Sequence, residues 1–221
     1  MARRFVIGDV HGCARTLRLL VEEGVGLTRE DELYLLGDLI DRGPASREVL
    51  DFLIGLRESG YTVASIRGNH EEMLLAACHD RNQFYLWILN GGYTTLESFG
   101  VEDACEIPER YRRFLDDLPT YLILPDFALV HAGIDCQRSD PFADRQTLLW
   151  SRSCTVDMAK TGGRRIVSGH TPRPRREIEA SLDDDWIMLD NGCVYRGVAG
   201  LGSLAALELD TLQLHFQENC D

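Results

Sequence analysis

The chain contains no run of the roughly 18 apolar residues that a membrane span requires. Its opening, MARRFVIGDVHG, carries two arginines but only the short apolar run Phe5–Ile7 before Gly8. That is too short for the core of a secretory signal. Paired cysteine motifs are missing as well. The seven cysteines (Cys13, Cys78, Cys105, Cys136, Cys154, Cys193 and Cys220) are odd in number and never spaced CxxC, which argues against a disulfide framework or a zinc ribbon. A reducing, cytoplasmic setting away from membranes is therefore expected. Positive charge is scarce: the net charge of -13 repels nucleic-acid phosphates at long range, so no nucleic-acid partner is expected. Repeats, low-complexity tracts and linkers are absent too. What remains is an ordinary globular composition, 44% hydrophobic and 27% charged over 221 residues, expected to form one domain over residues 1–221.

The first 77 residues alternate between short apolar runs and helix-spaced leucines. Phe5–Ile7, Leu33–Leu36 and Thr62–Ile66 read as strands, while Ala14–Glu23, Ser46–Ser59 and Glu71–Ala77 read as helices. In the second helix Val49, Leu50, Leu53 and Leu56 share a face. This alternation predicts βαβ units and a parallel sheet. Residues 77–118 read as helical and loop-rich, a segment placed to cap a site. Six further strands follow: Tyr121–Leu124, Phe127–Val130, Ile166–Ser168, Trp186–Leu189, Ser203–Leu209 and Leu212–Phe216. The fold class is α/β, with two packed sheets and helices outside.

Six polar clusters stand at strand ends or in glycine-flanked turns: GDVHG (Gly8–Gly12), GDLIDRG (Gly37–Gly43), RGNHE (Arg67–Glu71), HAG (His131–Gly133), WSR (Trp150–Arg152) and GHT (Gly169–Thr171). Ligands of open α/β sheets bind outside the carboxyl ends of the strands. Asp9 and His11, two apart in extended chain, point the same way and can chelate a divalent metal. Taken alone, GDVHG equally reads as a turn with a capping aspartate and a chance histidine. Asp41-Arg42 alone reads equally as a surface ion pair. A single histidine such as His131 or His170 after a strand is more often a core or edge residue. Yet four of the six histidines occupy such motifs, and only His79 and His215 lie outside them.

The ordered series resembles the metal-dependent phosphoprotein phosphatases within the calcineurin-like metallophosphoesterases, over roughly Phe5 to Gly192. The short length and the Trp87–Gly92 stretch look most like the lambda-type bacterial and phage serine/threonine phosphatases. The resemblance implies an α/β/β/α sandwich and two divalent ions, with Mn²⁺ expected, although such ligand sets also accept Fe, Zn or Ni. It implies Asp9, His11 and Asp38 on one ion, and Asn69, His131 and His170 completing the second, with Asp38 as bridge. Arg42, Asn69 and Arg152 would bind the substrate phosphate. His70 would be the general acid and Asp41 the carboxylate that orients it. The reaction implied is in-line attack on a phosphomonoester by a metal-bridging hydroxide, on a phosphoprotein or phosphopeptide. Arg67 fits the motif as a brace for the acidic cluster. Cys13 lacks the CxxxxxR loop of thiol phosphatases and reads as a packing residue.

Three other readings compete. A symmetrical dinucleoside tetraphosphatase shares the metal site, but such enzymes tend to be longer, to lack the aspartate of DRG and to read GNHD. Here Asp41 and Glu71 favour the protein phosphatase, while Pro44 leans the other way. A non-catalytic metal-binding module should have lost a ligand or the acid, and every position is filled. A nucleic-acid phosphodiesterase sits poorly with the net charge of -13.

Overall fold

The computed structural model describes residues 2–221. Nine strands form two sheets. In the first, β3 (Thr62–Ser65), β2 (Glu32–Leu35) and β1 (Arg4–Ile7) run parallel, and β8 (Ser203–Glu208) and β9 (Gln213–Glu218) join antiparallel beside β1. In the second, β5 (Phe127–Val130), β6 (Arg165–Ser168) and β7 (Trp186–Met188) run parallel, with β4 (Tyr121–Ile123) antiparallel at the edge. The expected parallel sheet is thus a parallel trio in each of two mixed sheets. Strands that return by tight hairpins, as β8 and β9 do, can only pair antiparallel.

Alternation along the strands sorts the core into layers. Val6 and Leu36 of the first sheet meet Phe127, Leu129, Val167, Ile187 and Leu189 of the second in the seam between the sheets. On the first sheet's outer face, Phe5, Ile7, Leu33 and Leu35 pack against Leu17, Leu20, Leu50 and Leu53. Those leucines come from α1 (Ala14–Leu19), which widens into a π-turn over Leu20–Gly24, and from α2 (Ser46–Glu58). On the second sheet, Ala128 and Val130 pack against Leu148 of α7 (Arg145–Trp150). The last helix, α8 (Arg175–Ser181), sends Ile178 into the seam. Neither of these two helices has a period long enough to read from the sequence.

The middle third is α4 (Arg81–Trp87), α5 (Tyr93–Phe99) and α6 (Glu109–Asp116), after α3 (Asn69–Ala77). Asp80 caps α4, accepting from the Asn82 and Gln83 amides at 2.7 and 3.1 Å. This segment reaches Asp41 and Arg42 in the loop after β2, burying Trp87 completely.

Candidate metal centre and active site

The parallel strands of both sheets deliver their carboxyl ends to one place. Asp9 and His11 follow β1, Asp38 follows β2, Asn69 and His70 follow β3, His131 follows β5 and His170 follows β6. The turns that carry them are strained. Six residues other than glycine have positive φ among those described, and five of them are His11, Asp38, Asp41, Arg42 and His170. Such backbone costs about 1–3 kcal/mol per residue and persists where the surroundings enforce it. Two glycines allow the turns to meet. A Cβ on Gly43 would collide with the His11 carbonyl, and one on Gly68 would collide with the Asp38 carboxylate.

Hydrogen bonds outside the cleft fix which ring nitrogens face in. The His131 Nδ1–H donates to the Leu36 carbonyl at 2.8 Å, so its Nε2 presents a lone pair. That Nε2 lies 2.9 Å from Asn69 Oδ1, 3.1 Å from His170 Nδ1 and 3.4 Å from Asp38 Oδ1. The His11 Nδ1–H donates to the Ile40 carbonyl at 3.0 Å. Its Nε2 accepts from Arg42 at 2.8 Å and lies 3.6 Å from Asp38 Oδ2. His131 Nε2, Asn69 Oδ1 and Asp38 Oδ1 thus converge as acceptors, an arrangement that a cation among them would satisfy. Asp38 turns one oxygen to each side, and the residues divide accordingly into His11, Asp38 and His70, and Asp38, His131 and His170.

The electrostatics fit a cation equally well. Asp9, Asp38, Glu71 and Asp190 are all buried. Burial, with Asp190 and Asp38 adding repulsion, holds the Asp9 carboxyl well above its usual range. Burial, with repulsion from Asp38 added, also pushes Asp190 and Glu71 up to about 7 each. Burial works against ionised Asp38 too, but His131, His70 and His11 outweigh it and hold that carboxyl below its usual range. Burial lowers His11 to about 3 and His170 to about 4, and lowers His131 as well. Neutral imidazoles with free lone pairs beside crowded carboxylates suit divalent metals.

His70 differs from the other three. Its Nδ1–H donates to Asp41 Oδ2 at 2.7 Å, and both side chains are fully buried. Burial disfavours its charged form, but Asp38 and the Asp41 hydrogen bond prevail and raise its pKa. Its Nε2 faces Asp38 Oδ2 at 4.0 Å and has no hydrogen-bond partner. Asp41 is itself saturated: Trp87 Nε1–H donates to Oδ2 at 2.8 Å and the Thr95 hydroxyl to Oδ1 at 2.6 Å.

Some expected residues stand elsewhere than expected. Asp9 is buried beside the cluster but belongs to neither three-residue group. Its two oxygens accept from the His170 backbone N–H at 3.1 and 2.9 Å, and His70 stands with His11 and Asp38 instead. Arg42 is exposed at the mouth, against His11. Arg152 is exposed on the loop after α7, near enough to His170 to help depress its pKa. Arg67 braces Glu72 at 3.0 Å and Asp116 at 3.3 Å, not the buried acids. Cys13 is buried in the core.

Sequence reasoning missed four residues. Asp190 follows β7 and was signalled by the same strand-end pattern as the others. Glu71 accepts from the amides of Asp38, Leu39 and Gly68 at 2.9, 2.8 and 2.7 Å, tying the second motif to the third. Trp87 and Thr95 act on Asp41 from far along the chain, and no local signal marks that role.

The fold and the site define a metallophosphoesterase. The calcineurin-like phosphoesterase family matches residues 2–187, and the chain belongs to it. Its relatives include a symmetrical bis(5'-nucleosyl)-tetraphosphatase of Pseudomonas syringae pv. syringae, 28% identical across 98% of this chain and 92% of that protein. Serine/threonine-protein phosphatase 1 of Salmonella typhimurium is 32% identical across 87% of this chain and 88% of its own length. A solved structure provisionally assigned as a diadenosine tetraphosphatase superposes with a TM-score of 0.68 at 23% identity, over 100% of this chain and 95% of that one. An enzyme of phosphoester hydrolysis is supported, and the family implies divalent metals. By name, these relatives favour the tetraphosphatase over the protein phosphatase expected from the sequence. No helix among the described residues is long and apolar enough to cross a membrane.

Proposed function

We propose that this chain is a phosphomonoesterase of the serine/threonine protein phosphatase type. Asp9, His11 and Asp38 would hold one divalent ion, and Asp38, Asn69, His131 and His170 a second. Such ions, Mn²⁺ by preference, neutralise phosphate charge and acidify a water molecule for attack. Arg42, against His11, and Arg152, near His170, would serve as donors to phosphoryl oxygens, for which the guanidinium fork is suited.

The observation that carries the reading is the buried Asp41–His70 pair, with an unpartnered Nε2 facing the cleft. A serine or threonine alkoxide is a strongly basic leaving group and must gain a proton as it departs. His70, held toward its charged form by Asp41, keeps that proton at Nε2. General acid catalysis of this kind contributes about 10²–10⁴-fold.

The names of the relatives favour a second reading, symmetrical cleavage of a dinucleoside tetraphosphate. That reaction expels a nucleoside diphosphate, whose phosphate oxygen leaves with little need of a proton. Length favours the first reading against the Pseudomonas syringae relative, though not against the solved structure that this chain covers to 95%. The tetraphosphatase alignment spreads over 283 positions, which requires inserted segments that this 221-residue chain lacks, whereas the protein phosphatase alignment takes 199.

The test compares release of phosphate from phosphoserine peptides with cleavage of diadenosine tetraphosphate by the Mn²⁺-loaded protein. Faster turnover of the peptides is expected, and His70→Asn should slow them far more than p-nitrophenyl phosphate. Efficient cleavage of the dinucleotide with inert peptides would replace this reading by the second.

A further inference from the structure

The segment that clamps Asp41 has a second face. Trp87 points inward to Asp41, and Thr95 does the same. Outward stand Tyr85, Leu86, Leu89 and Tyr93, exposed by 55, 46, 85 and 54%. They make up half of the large apolar side chains exposed among the described residues. A single exposed leucine means little, but a cluster marks an interaction surface. From Asn82 to Leu96 no residue is charged, in a chain whose net charge is -13.

This ridge adjoins the mouth of the cleft. The Gly91 carbonyl accepts from the Arg42 amide at 3.2 Å, and a Cβ on Gly91 would come within 2.8 Å of Arg42 Cγ. Leu89 and Tyr93 flank Gly91 two positions to either side. Because the inner face is tied to Asp41, the outer face is held rigid beside Arg42.

We propose that this ridge docks the apolar residues next to the phosphorylated side chain of a peptide substrate, an inference that rests on the phosphomonoesterase reading. A phosphate gripped at Arg42 leaves its peptide close to the ridge, since extended chain advances about 3.3–3.6 Å per residue. Aliphatic Leu86 and Leu89 suit aliphatic and aromatic neighbours. The ridge itself carries no charge between Asn82 and Leu96; the nearest cations are Arg42 beside Gly91 and Arg81, whose guanidinium lies 5.0 Å from the Tyr85 ring at the end away from Gly91. Besides the two tyrosine hydroxyls, the ridge's polar side chain is Asn90, which donates its Nδ2 amide back to the Leu86 carbonyl at 2.8 Å.

The experiment uses two phosphoserine peptides that differ only in flanks, leucine and phenylalanine in one, glycine and serine in the other. They are assayed with the Mn²⁺-loaded wild type and with Leu89→Ser/Tyr93→Ser. The wild type should show a KM about tenfold lower for the apolar-flanked peptide, a size consistent with partial burial of one or two apolar side chains. The double variant should lose that preference and keep its kcat/KM on the glycine-flanked peptide. A preference that survives the double substitution overturns the docking role while leaving the phosphomonoesterase reading intact. Sedimentation that shows a wild-type dimer and a monomeric variant overturns it in favour of a second copy of this chain. Hydrolysis of neither peptide, with diadenosine tetraphosphate cleaved, overturns both readings together.

Discussion

Replacing Asp41 by asparagine tests the chemistry of the site with little change of shape. The aspartate is fully buried and accepts three side-chain hydrogen bonds, from His70, Trp87 and Thr95. Asparagine can keep its oxygen toward His70 and Trp87. Its amide then faces the Thr95 hydroxyl, which can rotate to donate to the Ser46 hydroxyl 2.9 Å away. Geometry therefore survives while the charge is lost. Hydrogen bonds to charged groups contribute about 1.5–3 kcal/mol, against about 1 for neutral ones. The difference falls on the protonated form of His70, whose pKa is raised in part by Asp41. In Asp41→Asn that pKa falls, and less of the acid is available at neutral pH. The assay is kcat across substrates of rising leaving-group basicity, from p-nitrophenyl phosphate through alkyl phosphates to phosphoserine peptide. The variant should lose up to about 10²–10³-fold on the peptide, within the range of general acid catalysis, and much less on the aryl ester. Thermal unfolding of the same variant shows whether the fold is kept. Equal losses across the series in a folded variant would refute the acid role of His70 and the place of Asp41 behind it.

Other consequences follow from the same geometry. Chelator-treated protein should be inactive and regain activity with Mn²⁺, and saturating Mn²⁺ at about 100 times Kd should stabilise the fold by about 2.7 kcal/mol. His131→Ala should lose both effects, and full activity in excess chelator would defeat the metal reading. Glu71→Gln turns one of two accepting oxygens into a donor against backbone amides, so urea denaturation should show a loss of about 1–3 kcal/mol. Asp31 is 3% exposed and bonds Arg3 at 2.7 Å, and this hydrogen bond holds its carboxyl below the usual range. Its contribution is present above the unfolded carboxyl's pKa of about 3.9 and is lost as pH falls below that. Asp31→Asn should therefore be less stable than wild type at pH 7, with the gap narrowing in acid. A gap that is constant with pH would assign its role to packing alone.

The strand ends were legible because each motif joins a β-rich apolar run to a glycine turn, a strictly local pattern. The cluster-forming residues Asp38, His131 and His170 could be read for the same reason. Asp9 could be placed, but not its hydrogen bond from the His170 amide, which arrives from far along the chain. The antiparallel additions β4, β8 and β9 could be seen as strands but not paired, since pairing depends on sheet order, which alternation does not encode. Trp87 looked like a family signature. Its function depends on a buried aspartate 46 residues away. Helices α7 and α8 were too short to show a period.

The division of Asp38 between two half-sites bears on how the molecule assembles. Its first-sheet partners lie within the opening 71 residues, whereas His131 and His170 arrive with the second sheet. The seam is stitched at the same spot, where His131 donates to Leu36 across 95 residues and His170 to Asp9 across 161. Contacts of such long range close late in folding. An ion bound there therefore works as a rivet, completing its coordination only once both sheets have docked. Metal uptake during refolding should then lag the pairing of β1, β2 and β3 and report the moment at which the two halves meet.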